Sequence, residues 1–350
     1  MKKIAISTTL PMEILLATGC QIVDLNNRFV TSPLSQNWLS QAEGAGFPKS
    51  LCAWIKGLYS ACLAEASDLF IAVTEGDCSN TKGLNAILKH KGISVLSFGY
   101  PAENTPDNLD KALRGLAADL EVPWEAVLKM QERLKPVRAL GVELDRLTYE
   151  TNQVSGFENH LWLVSFSDFD GNFEDFQTRL EVFIETAKQR PSMKQPVRLA
   201  YIGVPPMTAD LYGFVEGMGG RVVFNEVQRQ FSMPHSISAI SLAEQYVNYT
   251  YPYELEGRLV DIQEAIKERR IDGVIHYTQA FCHRALDDVI LRDVLNCPII
   301  TIEGDQATAL DGRTKLRIEA FIDLLKDSVG KTFMDVTHET NNKAGDTCDF

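Results

Sequence analysis

The sequence lacks a basic surplus. Its 34 lysines and arginines are outnumbered by 47 aspartates and glutamates, giving a formal charge of −13. Nucleic-acid surfaces rely on basic stripes that displace counterions from phosphates, and that composition does not supply one. Long apolar runs are missing too. No segment approaches the roughly 20 apolar residues that a membrane-spanning helix needs. The opening MKKIAISTTLPMEILLATG carries two lysines, but Thr8, Thr9, Pro11 and Glu13 interrupt its apolar residues. It reads as a first strand and helix, not as a secretory leader. Cysteine is sparse and odd in number, seven in 350 residues, unlike the even, dense framework of a disulfide-stapled secreted domain. The expected setting is a reducing cytoplasm, with neither nucleic acid nor membrane as a partner.

What remains is ordinary globular material, 45% hydrophobic and 23% charged, in a chain too long for one core. A duplication organises it. DLFIAVTEGDC, ending at Cys78, aligns with DGVIHYTQAFC, ending at Cys282, and the same spacing of 204 residues pairs ISVLSF at 93–98 with CPIITI at 297–302. Upstream, KIAISTTLPM at 3–12 resembles RLAYIGVPPM at 198–207. Each half therefore reads as alternating strands and helices, with strands near 3–7, 21–24, 69–73 and 93–98, then near 197–203, 221–226, 272–277 and 298–302. That alternation predicts an α/β fold, two duplicated Rossmann-like parallel-sheet domains. Between them, NLDKALRGLAADL, PWEAVLKMQERL and FEDFQTRLEVFIETAKQR have helical spacing, so a helical insertion is expected. The resulting division is an N-terminal α/β domain at 1–104, a helical region at 105–193, a C-terminal α/β domain at 194–330 and a polar, flexible tail at 331–350. Leu316, Ile318, Phe321, Ile322 and Leu325 mark the core stripe of a last helix.

Three cysteines stand apart. Cys78 and Cys282 occupy the same repeat position, just after a buried strand, where parallel α/β sheets bind ligands. Cys52, in GFPKSLCAWIKG, opens the helix that leads into the Cys78 strand, and a helix N-terminus favours a thiolate. Its counterpart in the other half is Glu256, so the site is asymmetric. Cys62 shares a helical face with Ile55, Leu58 and Tyr59, Cys297 opens a buried strand, Cys20 begins a strand at the wrong sheet edge, and Cys348 lies in the tail. Three thiolates without an obvious fourth suit an iron–sulfur cluster with one iron left open. A zinc site completed by His276 or His283 is the competing reading. Glu13, just past the carboxyl end of the first strand, is a candidate catalytic acid or base; its alternative role is to stabilise a helix N-terminus.

SLCAWIKG, TEGDCSNTKG, TQAFCH, the early PMEILLATG and the late RTKLRIEAFIDLL resemble the D-component family of 2-hydroxyacyl-CoA dehydratases and benzoyl-CoA reductases, from the first strand to about residue 328. The resemblance implies a 4Fe–4S cluster held by three cysteines, which fall on Cys52, Cys78 and Cys282. It implies a dimer, with a paralogous subunit or with itself, and a separate ATP-dependent iron–sulfur activator protein that delivers low-potential electrons. In the dehydratases one electron forms a ketyl radical, and water leaves a 2-hydroxyacyl-CoA. Double-cubane relatives carry further cysteines in the second half; here GVPPM and FNEV have none, which leaves a single cluster. Arg313 stands where the family often has glutamine, and Arg317 is retained. Two functions follow: an enzyme subunit performing radical dehydration or reduction on an acyl-CoA substrate, or an accessory electron-transfer protein without its own substrate. A pocket beside the cysteines separates them.

Overall fold

The computed structural model describes residues 2–253, 255–279, 281–304 and 308–343, without the side chains of 329–343. Two four-stranded, all-parallel sheets form its frame. The first contains β1 (Lys3–Ile6), β2 (Gln21–Asp24), β3 (Leu69–Glu75) and β4 (Val95–Gly99) in the order β2-β1-β3-β4. The second contains β5 (Val197–Gly203), β6 (Gly220–Asn225), β7 (Gly273–Gln279) and β8 (Ile299–Gly304) in the order β6-β5-β7-β8. The orders are the same permutation, and the register agrees as well: Val73 pairs with Phe98, and its repeat counterpart Tyr277 pairs with Ile302.

Successive strand residues point to opposite faces, so a strand covered on both sides must be apolar throughout. β1 sends Ile4 and Ile6 into one core and Ala5 into another, and β3 divides Ile71 and Val73 from Phe70 and Ala72 in the same way. In the second sheet Leu199 and Tyr201 face one core while Ala200 and Ile202 face the other. The same hydrogen bonds close the sheet bottoms: Asp68 accepts from the Lys3 amide and Asp272 from the Arg198 amide, both at 2.7 Å.

The insertion consists of helices Pro106–Asp119, Trp124–Tyr149, Gly156–Val164 and Phe173–Lys188. Their starts are written in the chain. Thr105 caps the first, with Pro106 at its first turn; Ser155 and Glu158 form a reciprocal capping box; Asn172 caps the last. The insertion shares one core with the first sheet, and that core is completed from far along the chain by Val227, Phe231, Met233, Leu242, Ala243, Tyr246 and Tyr249. The last helix, Gly312–Lys343, buries Ile318, Ile322 and Leu325 but exposes Leu316. It continues through residues 331–343, which the sequence reading assigned to a flexible tail; 344–350, with Cys348, lie outside the described residues. No described helix is long and apolar enough to cross a membrane.

Candidate functional site

A cavity of about 570 Å³ opens at the carboxyl ends of the strands. Ser7 and Thr8 follow β1, Asp24 ends β2, Asp77 and Cys78 follow β3, Val204 to Thr208 follow β5, Gln279 ends β7 and Cys282 follows it; all line it. Both sheets contribute because the repeat presents equivalent loops, the position at which doubly wound sheets take ligands. Two glycines shape these loops. Gly76 has φ +82° and a Cβ there would meet Pro252 at 2.8 Å; Gly203 has φ +92° and a Cβ would lie 2.2 Å from the Tyr277 carbonyl oxygen. Phe281 adopts φ +57° just before Cys282, a left-handed conformation that costs a non-glycine residue about 1–2 kcal/mol.

Cys52, Cys78 and Cys282 all line this cavity, and all are free thiols. Each stands at a helical N-terminus. Cys52 caps helix Ala53–Glu65, Cys282 caps the 3₁₀ turn His283–Leu286, and Cys78 lies two residues before helix Asn80–His90. Burial pushes the Cys52 thiol up to about 12, against the Trp54 and Ile55 amides that favour its thiolate; Cys78 and Cys282 add to the upward push. Cys78 is raised by burial too, with the Asn80 amide opposing and Asp77 and Cys282 reinforcing. Such thiols hold their protons until a cationic centre takes them, while the waiting amides suit a bound thiolate. Thr81 adds a buried hydroxyl at the cavity wall with no hydrogen-bond partner among the described residues. The donor set therefore fits a thiolate-bound group. Among the described residues no three His, Cys, Asp or Glu side chains converge closely enough to clasp a single metal ion. A cluster distributes its thiolates over several irons and does not require them to converge on one. His276, one partner in the zinc reading, is buried with Nδ1 3.0 Å from Asp288 Oδ1.

Glu13 lies elsewhere. It is fully buried and does not line the cavity. Its carboxylate is ion-paired with Arg138 and accepts hydrogen bonds from Gln245 Nε2 and the Tyr246 hydroxyl, both at 2.8 Å. Burial alone would raise its pKa, but the Arg138 charge overbalances that and holds the carboxyl below its ordinary range. This network ties the first helix to the insertion and to the second half. Cys62 is in the core, and Cys297 directs Sγ at the Ile271 carbonyl oxygen, 3.8 Å away.

The cavity has polar residues that motif reading passed over. Asp24 and Asp168 are both buried, and the Asp24 amide donates to Asp168 Oδ2 at 2.8 Å. Burial pushes Asp168 up to about 8, and the nearby Asp24 charge adds to the shift, so at neutral pH this side chain is mostly an undissociated acid. Asp77 is pushed up to about 6 by burial, with the Cys78 amide and Arg284 opposing. His160, on insertion helix Gly156–Val164, faces the cavity with its ring stacked on Tyr212. Burial lowers its pKa to about 4, leaving the imidazole neutral.

A chain of hydrogen bonds sets which His160 nitrogen carries the proton. Asp145, bound in two places by Arg269, accepts from Asn159 Nδ2. Asn159 Oδ1 therefore accepts from Asn225 Nδ2 at 2.7 Å, and Asn225 Oδ1 accepts from the Tyr212 hydroxyl at 2.7 Å. The Tyr212 oxygen is left to accept from Gln228 Nε2 at 3.5 Å, and the same amide nitrogen lies 3.0 Å from His160 Nδ1. Nδ1 is thus an acceptor, and Nε2 bears the proton. A neutral N–H donor is fixed at the wall of the cavity. Asp24 was legible as the last residue of a strand at the ligand edge; His160 and Asp168 come from the insertion, where nothing in the sequence marks them.

No curated protein sequence matches the chain. The model of the family 2-hydroxyglutaryl-CoA dehydratase, D-component, matches residues 7–325, nearly its whole length, and the chain belongs to that family.

Proposed function

We propose that this 2-hydroxyacyl-CoA dehydratase-like subunit holds one 4Fe–4S cluster on Cys52, Cys78 and Cys282 and acts on an acyl-CoA in the adjoining cavity. The observation that carries this reading is the arrival of three cysteines, from two repeats and three separate elements, at one 570 Å³ cavity. When bound, the cluster supplies a low-potential electron and one iron without a protein thiolate, able to polarise a substrate oxygen. Its electrons come from an ATP-dependent iron–sulfur activator protein, and the subunit works as a dimer with a paralogue or with itself.

The chain's own residues supply the rest. The Trp54, Ile55 and Asn80 amides favour thiolates at Cys52 and Cys78. His160 offers a neutral N–H to a carbonyl or hydroxyl oxygen, with its ring orientation held by Gln228 and Tyr212. Asp168 keeps a proton at neutral pH beside the cavity, where it can serve a leaving hydroxyl or receive a proton back. Val30, Leu58 and Val164 limit water in the cavity. An electron carrier needs no such space, so the cavity favours the enzyme over the accessory protein. Anaerobically prepared protein is expected to be brown, with about four irons per chain. Addition of a 2-hydroxyacyl-CoA is expected to perturb the Mössbauer spectrum of one iron. Zinc in place of iron, or a cluster insensitive to every acyl-CoA tried, would overturn the reading.

A further inference from the structure

Two buried side chains stand beside the cysteines with no protein partner for their donors. Gln279 ends β7, three residues before Cys282, and is 1% exposed. Neither its amide nitrogen nor its amide oxygen has a hydrogen-bond partner among the described residues. The Thr81 hydroxyl, three residues after Cys78, is buried and unpartnered in the same way. Both side chains line the cavity that the three cysteines share. Buried polar groups almost always have a partner, and no described protein group serves these two, so their partner is a group bound in the cavity. Gln279 is near Cys52 as well. Burial pushes the Tyr277 hydroxyl up to about 12; Gln279 opposes that shift, without a hydrogen bond of ordinary geometry, and Cys52 adds to it.

The duplicated positions lack these donors. The counterpart of Gln279 is Glu75, an exposed carboxylate 2.7 Å from Lys82 Nζ, and the counterpart of Thr81 is Ala285. An ionised carboxylate and a methyl group have no proton to give. Each half therefore sets one donor beside its own cysteine, before it in one copy and after it in the other. Thiolate and bridging-sulfide sulfurs accept hydrogen bonds and donate none, so an N–H and an O–H complement them. Each such bond stabilises the more negative, reduced state of a cluster. Resting on the cluster reading above, we infer that the Gln279 amide and the Thr81 hydroxyl donate hydrogen bonds to the sulfurs of the bound cluster and hold its reduction potential above the value that the three cysteines alone would set.

The test is an anaerobic potentiometric titration of the cluster-loaded protein, followed by the electron paramagnetic resonance of the reduced state. Gln279→Met and Thr81→Val remove one donor each at similar volume. Each is expected to shift the equilibrium about tenfold toward the oxidised state, a fall of about 59 mV for one electron. Thr81→Ser keeps the hydroxyl and should keep the wild-type potential; a shift as large as that of Thr81→Val would assign the change to packing and overturn the inference. Unchanged potentials in Gln279→Met and Thr81→Val, at full iron content, overturn it and leave the cluster reading standing. Anaerobically prepared wild type without iron overturns both. A further measurement needs no variant. Gln279 is the one glutamine among the described lining residues, so wild-type protein carrying ¹⁵N in its glutamine side chains should show a nitrogen coupling to the reduced cluster in pulsed resonance. Absence of that coupling overturns the inference.

Discussion

The two α/β halves share a strand order and a register, yet their helix starts do opposite things. In the first half Cys52 caps the helix leading into β3 and turns a thiol toward the cavity. In the second, the corresponding helix Leu255–Glu268 has Glu256 in its first turn, and its Arg258 is buried in bonds to Glu226 and Asp287. The position of Cys52 carries a candidate ligand, and two residues along from its counterpart Glu256 stands an ion-pair brace, Arg258. A sheet tolerates few changes because both its faces are packed. A helix N-terminus leaves unpaired amides that a thiolate, a carboxylate or a ligand can satisfy, so duplicated copies can keep the frame and part company at the helix starts.

The largest way to sharpen this comparison is substitution at the paired positions. Serine at Cys52, Cys78 or Cys282 is expected to remove most of the iron from anaerobically prepared protein, whereas Glu256→Gln, Cys62→Ser and Cys297→Ser should leave iron content unchanged by elemental analysis. Full iron occupancy in Cys52→Ser would erase the proposed asymmetry.

Next in size are the braces. Arg258→Ala leaves Glu226 buried and unpaired, and Arg138→Ala does the same to Glu13. Each should cost about 3–5 kcal/mol in urea unfolding. The double replacements Glu226→Gln with Arg258→Met, and Glu13→Gln with Arg138→Met, should recover much of the loss. A loss under about 1 kcal/mol for either alanine variant would show that the network is not a brace.

A pH effect comes third. Asp168 has a raised pKa in the folded protein, so between its ordinary value of 3.8 and about 8 the folded state binds more protons than the unfolded state. Its contribution is favourable at low pH and is lost as pH rises through that window, with a slope of at most about 1.4 kcal/mol per pH unit. Glu13 and Asp145, with lowered pKa values, act in the opposite direction at acid pH. The difference between wild type and Asp168→Asn isolates the aspartate: raising the pH from 5 to 8 should cost the wild type more stability than the variant. Parallel curves would contradict this.

The smallest effect concerns the shared sheet-bottom bond. Asp68→Ala and Asp272→Ala should each cost about 1 kcal/mol. The second should cost more, because Asp272 is half-buried while Asp68 is exposed. Equal losses would mean that burial does not distinguish the two copies.

The frame was readable because strands covered on both faces leave unbroken apolar runs, and because DLFIAVTEGDC and DGVIHYTQAFC still match. All eight strands lie within a few residues of their expected places. The three cysteines were readable through their position at strand ends and helix starts. Helix Gly156–Val164 was not anticipated, and with it went His160. Its proton is placed by Asp145, Asn159, Asn225, Tyr212 and Gln228, a chain that crosses from insertion to second half and exists only after folding. Glu13 was a candidate in the sequence because it follows the carboxyl end of the first strand; its partner Arg138, which the structure brings to it, is a long way along the chain.

The core of the first sheet has a consequence for how the protein is made. Its last apolar contributors run from Val227 to Tyr249, more than 120 residues beyond the end of β4 at Gly99. A nascent chain leaving the ribosome N-terminus first can assemble β1 to β4 and the insertion, yet it still presents an open apolar face. That face closes only when Tyr249 has emerged. At about 5–20 residues per second the wait is on the order of ten seconds, a period in which the half-made protein is a client for holding chaperones. Release of a chain stopped before Val227 should therefore yield aggregate rather than a free-standing first domain.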